Sequence, residues 1–162
     1  MDTLISRSPE ETFAIGERWG QEAQRGWVIG LSGDLGTGKT QLVKGIARGL
    51  GSPARVHSPT FALLHEYGGG RWALFHLDLY RLNNRDEVIA AGLEEYLVNS
   101  SGITVVEWIE RWLPESFTFH GLETEHRTPN IERRTPNSVT RLARIETLSE
   151  TERRITYEDS RA

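Results

Sequence analysis

Eight consecutive residues in the first quarter of the chain are suited to binding phosphate. They match the pattern G-x-x-x-x-G-K-[ST] of nucleoside triphosphatases and are Gly33, Asp34, Leu35, Gly36, Thr37, Gly38, Lys39 and Thr40. The three glycines can adopt backbone angles that turn successive N–H groups toward a phosphate. Lys39 can carry a positive charge to the β- and γ-phosphates, and the Thr40 hydroxyl can ligate Mg²⁺. Residues 33–40 are called the glycine loop below.

Both flanking segments have the form that such a loop requires. Residues 27–32 are mostly apolar and include Val and Ile, which predicts a short buried strand. Apolar residues then recur at helical spacing from Leu42 to Leu50, which predicts a helix whose positive N-terminal end adds to the anion site. Lys39 and Lys44 are the only lysines of the chain. A strand, the glycine loop and a helix in this order predict nucleotide binding.

Two acidic residues follow apolar segments further along the chain. Asp78 ends the strand-like run 71–78, and Glu107 ends the apolar run 103–107. Phosphate-loop enzymes use a second carboxylate near the metal, and ligands of open α/β sheets bind beside the carboxyl ends of the strands. Each acid is therefore a candidate for this role. The alternative for each is a solvated acid at the end of a strand.

Two threonines are candidates with plainer alternatives. Pro59 forces Ser58 into an extended conformation, so this rigid segment could present the Thr60 hydroxyl to a γ-phosphate or its metal. An ordinary loop into the next strand explains the same residues. Thr12 lies in the first turn of an amphipathic helix that Ser8 caps. A threonine there is usually a residue of the helix surface.

Composition restricts the class of protein. A chain of 162 residues predicts one domain, residues 1–162, and its net charge of −4 gives no reason to expect affinity for nucleic acid or membranes. The chain has no cysteine, which excludes disulfide scaffolds and thiolate metal sites. The first seven residues lack the build of a signal peptide, and no apolar run approaches the ~20 residues that span a bilayer. We therefore expect a cytoplasmic protein.

Several elements are predicted between the glycine loop and Glu107. Residues 61–67 and 71–78 are strand-like, and the three glycines at 68–70 predict that they form a β-hairpin. Residues 85–91 and 93–97 predict two short helical pieces.

The last third of the chain has a different character. Residues 121–138 contain a near-tandem Arg-Thr-Pro-Asn repeat with little to bury, which predicts an exposed, mobile loop with a solvated charged face. Its arginines could alternatively contact an acidic partner or RNA. Residues 116–119, 139–145 and 153–157 alternate like edge strands. We predict a P-loop NTPase-like α/β domain with a mostly parallel central sheet, a β-hairpin, antiparallel C-terminal edge strands and helices on both faces.

Four motifs occur in one order along the chain. The glycine loop is followed by His-Ser-Pro-Thr-Phe at 57–61, His-Leu-Asp-Leu-Tyr-Arg-Leu at 76–82 and Val-Val-Glu-Trp at 105–108. With this combination, residues 8–113 closely resemble the bacterial TsaE (YjeE) family, the ATPase of tRNA threonylcarbamoyladenosine biosynthesis. The motifs of Ras-like GTPases, N-K-x-D and a following D-x-x-G, are missing.

The resemblance implies a substrate, a cofactor and partners. ATP is the implied substrate and Mg²⁺ the implied cofactor. TsaB and TsaD homologues are the implied partners, with TsaC acting upstream, and tRNA is contacted only indirectly through the complex. Hydrolysis of ATP would support repeated turnover and would not itself transfer the threonylcarbamoyl group. No membrane is involved.

The resemblance also implies a role for each motif residue. Asp78 is the carboxylate linked to hydrolysis, Thr60 senses the γ-phosphate, and Lys39 completes the catalytic set. Thr40 and Glu107 are the metal ligands. The implied nucleotide-binding residues are Thr12, Gly33, Asp34, Leu35, Gly36, Thr37, Gly38, Lys39, Thr40, Gln41 and Trp108.

Two other classes of protein use the same loop. A small-molecule phosphotransferase would need an acceptor pocket and lid arginines in addition. A nucleotide-gated binding module would bind ATP without meaningful turnover.

Overall fold

A mixed β-sheet lies at the centre of the molecule. The computed structural model describes residues 1–114 and 139–160, and these ranges contain seven strands in the order β1-β7-β6-β2-β5-β4-β3. The predicted strand at 116–119 and the predicted loop at 121–138 lie outside the described residues. The strands are β1 (Asp2–Ser6), β2 (Val28–Ser32), β3 (Leu64–Tyr67), β4 (Leu74–Asp78), β5 (Ile103–Glu107), β6 (Arg141–Thr147) and β7 (Arg153–Asp159).

The four inner strands β6, β2, β5 and β4 are parallel to one another, which agrees with the predicted mostly parallel central sheet. Strands buried on both faces read as continuous apolar runs, and every residue of β4 and β5 is buried. In the register of the sheet, Glu107 is paired with Leu31 on one side and with Asp78 on the other. The carboxyl ends of three neighbouring strands therefore lie side by side, where the glycine loop leaves β2.

Helices cover both faces of the sheet, as predicted. Apolar residues of α1 and α2 form one core cluster with Ile29 and Leu31, whereas α3 and α4 contribute to a second cluster with Val28. Among the described residues, none of the helices has both the length and the apolar character needed to cross a membrane. The helices are α1 (Pro9–Glu22), α2 (Lys39–Gly49), α3 (Arg85–Ala90) and α4 (Glu94–Val98), with a 3-10 turn at Ile109–Arg111.

Glycines bring α1 and α2 into backbone contact. A Cβ atom added to Gly16 would lie 2.1 Å from the carbonyl oxygen of Leu42, and one added to Gly45 would lie 2.1 Å from that of Phe13. No side chain fits between backbones at this distance, so only glycine allows the approach. Because α2 begins at Lys39, the contact with α1 fixes where the last residues of the glycine loop stand.

The prediction that the C-terminal strands are edge strands is wrong, whereas their antiparallel pairing with each other is confirmed. β6 is an inner strand that pairs in parallel with β2, and β7 pairs with β6 on one side and with β1 on the other. Strand β1 was not predicted, and the described edges of the sheet are β1 and β3. The hairpin is confirmed with shorter strands, since residues 60–63 form turns before β3 begins at Leu64.

The buried side chain of Arg141 accounts for this error. An arginine in an alternating run suggests a solvent-facing strand, yet Arg141 is only 4% exposed. Its guanidinium group donates hydrogen bonds of 2.6 and 2.8 Å to Asp159 and one of 3.1 Å to Glu22. A buried charge is tolerated when it is paired in this way. Three aromatic rings surround the same group: Trp19, Trp27 and Tyr157.

Candidate functional site

A cleft of about 370 Å³ opens where β2, β4 and β5 end. It brings together residues that are up to about seventy positions apart in the chain, including both candidate acids. Its lining residues are Leu35, Gly36, Gly38, Lys39, Thr40, Gln41, Ser58, Thr60, Asp78, Tyr80, Glu107 and Trp108. Ten of these twelve were predicted as site residues.

The positive charge of the cleft belongs to Lys39, the first residue of α2. Its Nζ donates hydrogen bonds to the carbonyl oxygens of Gly33 at 2.5 Å and Asp34 at 2.8 Å, and it lies 4.4 Å from the centre of the Trp108 ring. Burial holds the pKa of the Lys39 ammonium group below its usual value, and nearby carboxylates, Glu107 first, partly oppose this shift. The loop thus closes around a cation that faces the cleft, which suits an anionic ligand.

Thr40 and Glu107 form the second feature of the cleft. The Thr40 hydroxyl donates a 2.8 Å hydrogen bond to Oε1 of Glu107, whose side chain is nearly buried. Hydroxyl and carboxylate oxygens are the ligands that Mg²⁺ prefers, and Mg²⁺ usually takes one or two protein groups together with water and substrate phosphates. The donor chemistry of this pair therefore fits the predicted metal.

Asp78 is held by donors from two segments. Its Oδ2 accepts hydrogen bonds from Thr60 at 2.7 Å and from Ser58 at 3.1 Å, and its Oδ1 accepts one from the backbone N–H of Tyr80 at 2.9 Å. Asp78 is only 2% exposed, so it is not a solvated acid at the end of a strand. The Ser-Pro-Thr segment is therefore attached to the cleft, and its role toward a phosphate stays a prediction.

Trp108 has a backbone conformation that is unusual for its residue type. Its φ of 61° lies in the left-handed region, which costs about 1–3 kcal/mol for a non-glycine residue. This turn directly after β5 brings the ring near both Lys39 and Tyr80, and the centres of the two rings are 5.0 Å apart. Strain of this kind is common in binding sites.

Three residues of the glycine loop, Gly33, Asp34 and Thr37, lie outside the cleft lining and hold the loop in its conformation. A Cβ atom on Gly33 would lie 2.4 Å from the carbonyl oxygen of Ile145 on β6. Only glycine fits at position 33, because β6 passes so close to it. The Thr37 hydroxyl donates to the carbonyl oxygen of Asp34 at 3.0 Å. The carbonyl oxygen of Thr37 accepts a 3.2 Å hydrogen bond from Nε of Arg153 on β7. Direct contact of these residues with a nucleotide stays a prediction.

Thr12 is not a surface residue of its helix, so that interpretation is wrong. It is 3% exposed, and its hydroxyl shares a 2.7 Å hydrogen bond with Ser6. Its methyl group lies near Gly38, at 3.8 Å from the position of an added Cβ atom. Gln41 lines the cleft and donates to the carbonyl oxygen of Pro9 at 3.2 Å. Thr12 thus supports the loop, and its contact with a base stays a prediction.

Four residues near the cleft were missing from the predicted set. Ser58 and Tyr80 line it, and both had a signal in the sequence, because each lies two residues from a predicted site residue. His76 and Arg153 act from outside the cleft through hydrogen bonds to Glu107 and Thr37. Neither of those contacts has a local signal in the sequence.

Known proteins resemble this chain over most of its length. The family model "Threonylcarbamoyl adenosine biosynthesis protein TsaE" matches residues 6–135. A relative from Bacillus subtilis is 44% identical over 111 residues, which cover 67% of this chain and 68% of the relative. Another from Haemophilus influenzae is 31% identical over 142 residues, which cover 82% and 89%. Both are named tRNA threonylcarbamoyladenosine biosynthesis protein TsaE.

A solved structure has the same architecture. The crystal structure of YdiB from Bacillus subtilis superposes with a TM-score of 0.68 at 30% sequence identity, and the match covers 98% of this chain and 84% of that one. The family model, the relatives and the solved structure all point to one family. This chain belongs to the TsaE family.

Proposed function

We propose that this protein binds and hydrolyses ATP with Mg²⁺ and acts with a TsaB–TsaD pair in forming N6-threonylcarbamoyladenosine in tRNA, in the cytoplasm. One observation carries the proposal: Lys39, Thr40, Asp78 and Glu107 converge on a single cleft from the glycine loop and two neighbouring strand ends. A cation, a hydroxyl and two carboxylates are the groups that phosphoryl transfer requires.

The binding roles follow from the contacts in the cleft. The first N–H groups of α2 have no partners within the helix, and Gly38 offers no side chain to cap them, so they can donate to phosphate oxygens. Lys39 adds its charge beside them. Thr40 and Glu107 would hold Mg²⁺, which neutralises charge on the β- and γ-phosphates when bound.

Hydrolysis would use Asp78 and Thr60. Water attacks the γ-phosphorus, the bond to the bridging oxygen of the β-phosphate breaks, and ADP and inorganic phosphate leave. The Asp78 carboxylate would orient the attacking water and accept its proton. The Thr60 hydroxyl already donates to Oδ2 of Asp78 at 2.7 Å. A Thr60 hydroxyl that turned to the γ-phosphate would remove the shorter of the two hydrogen bonds to this oxygen, leaving that of Ser58, and would make room for the water. This would link sensing to hydrolysis.

Two exposed apolar side chains near the cleft favour the binding of a protein partner. Leu35 is 77% exposed and Phe61 is 87% exposed, although both are large apolar residues. The Arg81 guanidinium group lies 4.3 Å from the centre of the Phe61 ring. Leu35 lines the cleft and Phe61 follows the lining residue Thr60 in the chain, so both are available to a protein that covers the cleft. The names of the relatives connect such a partner to tRNA modification.

The rate of phosphate release from ATP tests the proposal. The rate is measured for the protein alone, with added TsaB–TsaD pair, and with small-molecule phosphate acceptors. We expect the pair to raise the rate and the acceptors to have no effect. A rate that depends on an acceptor would indicate a phosphotransferase, and binding of MgATP without phosphate release under any condition would indicate a gated module.

Glu107→Gln and Asp78→Asn should have separate effects. Glu107→Gln should weaken ATP binding in the presence of Mg²⁺ by about tenfold or more, because interactions with charged groups contribute ~1.5–3 kcal/mol. Asp78→Asn should preserve binding and slow turnover by about 10²–10⁴-fold, the usual contribution of a general base. Titration of each variant with MgATP, together with its rate of phosphate release, measures both effects.

Glu94→Gln is the matched control, because Glu94 is exposed on α4. It should behave like the unmodified protein in both measurements. If Asp78→Asn loses Mg²⁺-dependent binding while Glu107→Gln loses only turnover, the two roles are the reverse of those proposed.

A further inference from the structure

His76 contacts the cleft residue Glu107 from inside the sheet. It lies on β4, is fully buried, and does not line the cleft. Its Nε2 is 2.9 Å from Oε1 of Glu107. The Thr40 hydroxyl donates to the same oxygen at 2.8 Å. Glu107 is thus joined to α2 on the side of the cleft and to β4 within the core.

These two contacts determine how the Glu107 carboxylate is turned. The terminal torsion of a glutamate side chain has only a broad preference, so a carboxylate without fixed partners samples many orientations. Two donors on different elements bind Oε1, and among the described residues no hydrogen bond reaches Oε2. His76 and Thr40 together therefore hold Oε1 in place and leave Oε2 for a ligand.

The chemistry of the His76 ring agrees with a specific role for Nε2. A carboxylate only accepts hydrogen bonds, so Nε2 carries the hydrogen that lies between the two groups. Nδ1 is buried and has no hydrogen-bond partner among the described residues. A buried polar atom without a partner is destabilising, and an apolar side chain would avoid that cost. The ring is therefore poorly suited to a purely structural position and well suited to donating to Glu107.

We propose that His76 is a positioning residue that orients the Glu107 carboxylate for Mg²⁺. This inference rests on the proposed function, since it assigns to His76 the outer hydrogen bond of a metal-binding carboxylate. Such outer partners fix the direction of the ligand, and their loss typically weakens metal binding 10–100-fold. His76 would therefore affect the gain in ATP affinity that Mg²⁺ provides and leave affinity without Mg²⁺ nearly unchanged.

His76→Gln and His76→Met form a matched pair for the test. The two new side chains are similar in length and volume, and only glutamine carries an N–H donor near the position of Nε2. Affinity for ATP is measured with Mg²⁺ and with EDTA, and the ratio is compared among the variants and the unmodified protein. The melting temperature of each variant without nucleotide is measured in parallel. Should the Met variant not fold, His76→Asn replaces it, because its shorter amide lies near Nδ1 and not near Nε2.

The Mg²⁺ gain is the ratio of ATP affinity with Mg²⁺ to ATP affinity with EDTA. We expect this gain to stay within about threefold of the unmodified value in His76→Gln and to fall about tenfold in the variant without a donor near Nε2. Equal losses in both variants, or losses that follow the melting temperatures, would show a merely structural residue and overturn the proposal. An unchanged Mg²⁺ gain in the variant without a donor near Nε2 would overturn the proposal as well. If the unmodified protein itself gains no affinity from Mg²⁺, the proposed function fails first, and the role of His76 falls with it.

Discussion

Replacing Lys39 with alanine is expected to weaken ATP binding by about 10- to 100-fold while the protein stays folded. The reason is that Lys39 carries the cation at the centre of the glycine loop, and a hydrogen bond to a charged group contributes ~1.5–3 kcal/mol, where 1.4 kcal/mol corresponds to a factor of ten. The truncation also leaves the carbonyl oxygens of Gly33 and Asp34 without this donor. Calorimetric titration with MgATP and circular dichroism measure affinity and fold.

Lys44→Ala is the control that the chain offers. Lys44 is the only other lysine, lies on the same helix and is exposed. It removes an equal charge from the same element, so a general electrostatic effect would appear in both variants. We expect only Lys39→Ala to lose affinity. Unchanged affinity of a folded Lys39→Ala protein would remove the basis for assigning phosphate binding to the glycine loop.

The second large effect is expected from Gly45→Ala, which should destabilise the protein by roughly 1–3 kcal/mol or more. An added Cβ atom would lie 2.1 Å from the carbonyl oxygen of Phe13 and 2.8 Å from the backbone nitrogen of Glu17. Backbone atoms of a packed helix cannot move aside as a flexible side chain can, so α1 and α2 would have to separate. Urea denaturation measures the change in the free energy of unfolding.

The sign of this change is decisive. Alanine in the interior of a helix is ordinarily about 0.5–1 kcal/mol more favourable than glycine, so a stabilised Gly45→Ala variant would show that the helices are not in close contact. Gly68→Ala provides the comparison, because an added Cβ atom at Gly68 meets no heavy atom within 4 Å. It should leave stability nearly unchanged.

The parts of the fold that the sequence predicted are those with local signals. The spacing of Gly38, Lys39 and Thr40 is itself the signature of the loop, and apolar residues make up most of β2 and β5. Asp78 and Glu107 could be placed together because parallel strands end at the same edge. These inferences need only the periodicity of a short segment and one rule of sheet geometry.

Features that depend on distant residues could not be predicted in this way. The sequence of β4 gives no sign that His76 reaches a carboxylate on the next strand. The burial of Arg141 depends on carboxylates and aromatic rings from α1, β7 and the residue before β2. Thr12 was interpreted from its helix alone, whereas Ser6 on β1 and Gly38 enclose it.

The pairing of β1 with β7 has a consequence for how the chain folds as it is synthesised. Leu4 is paired with Ile155, so the first described strand has its hydrogen-bonding partner in the last one. Contacts between residues so far apart in the chain form slowly, because a long loop must close first. While β7 is still on the ribosome, β1 exposes unpaired backbone groups, and an open strand edge can pair with other chains. Its short length and the polar residues Asp2, Thr3 and Ser6 reduce that hazard until the last strand arrives.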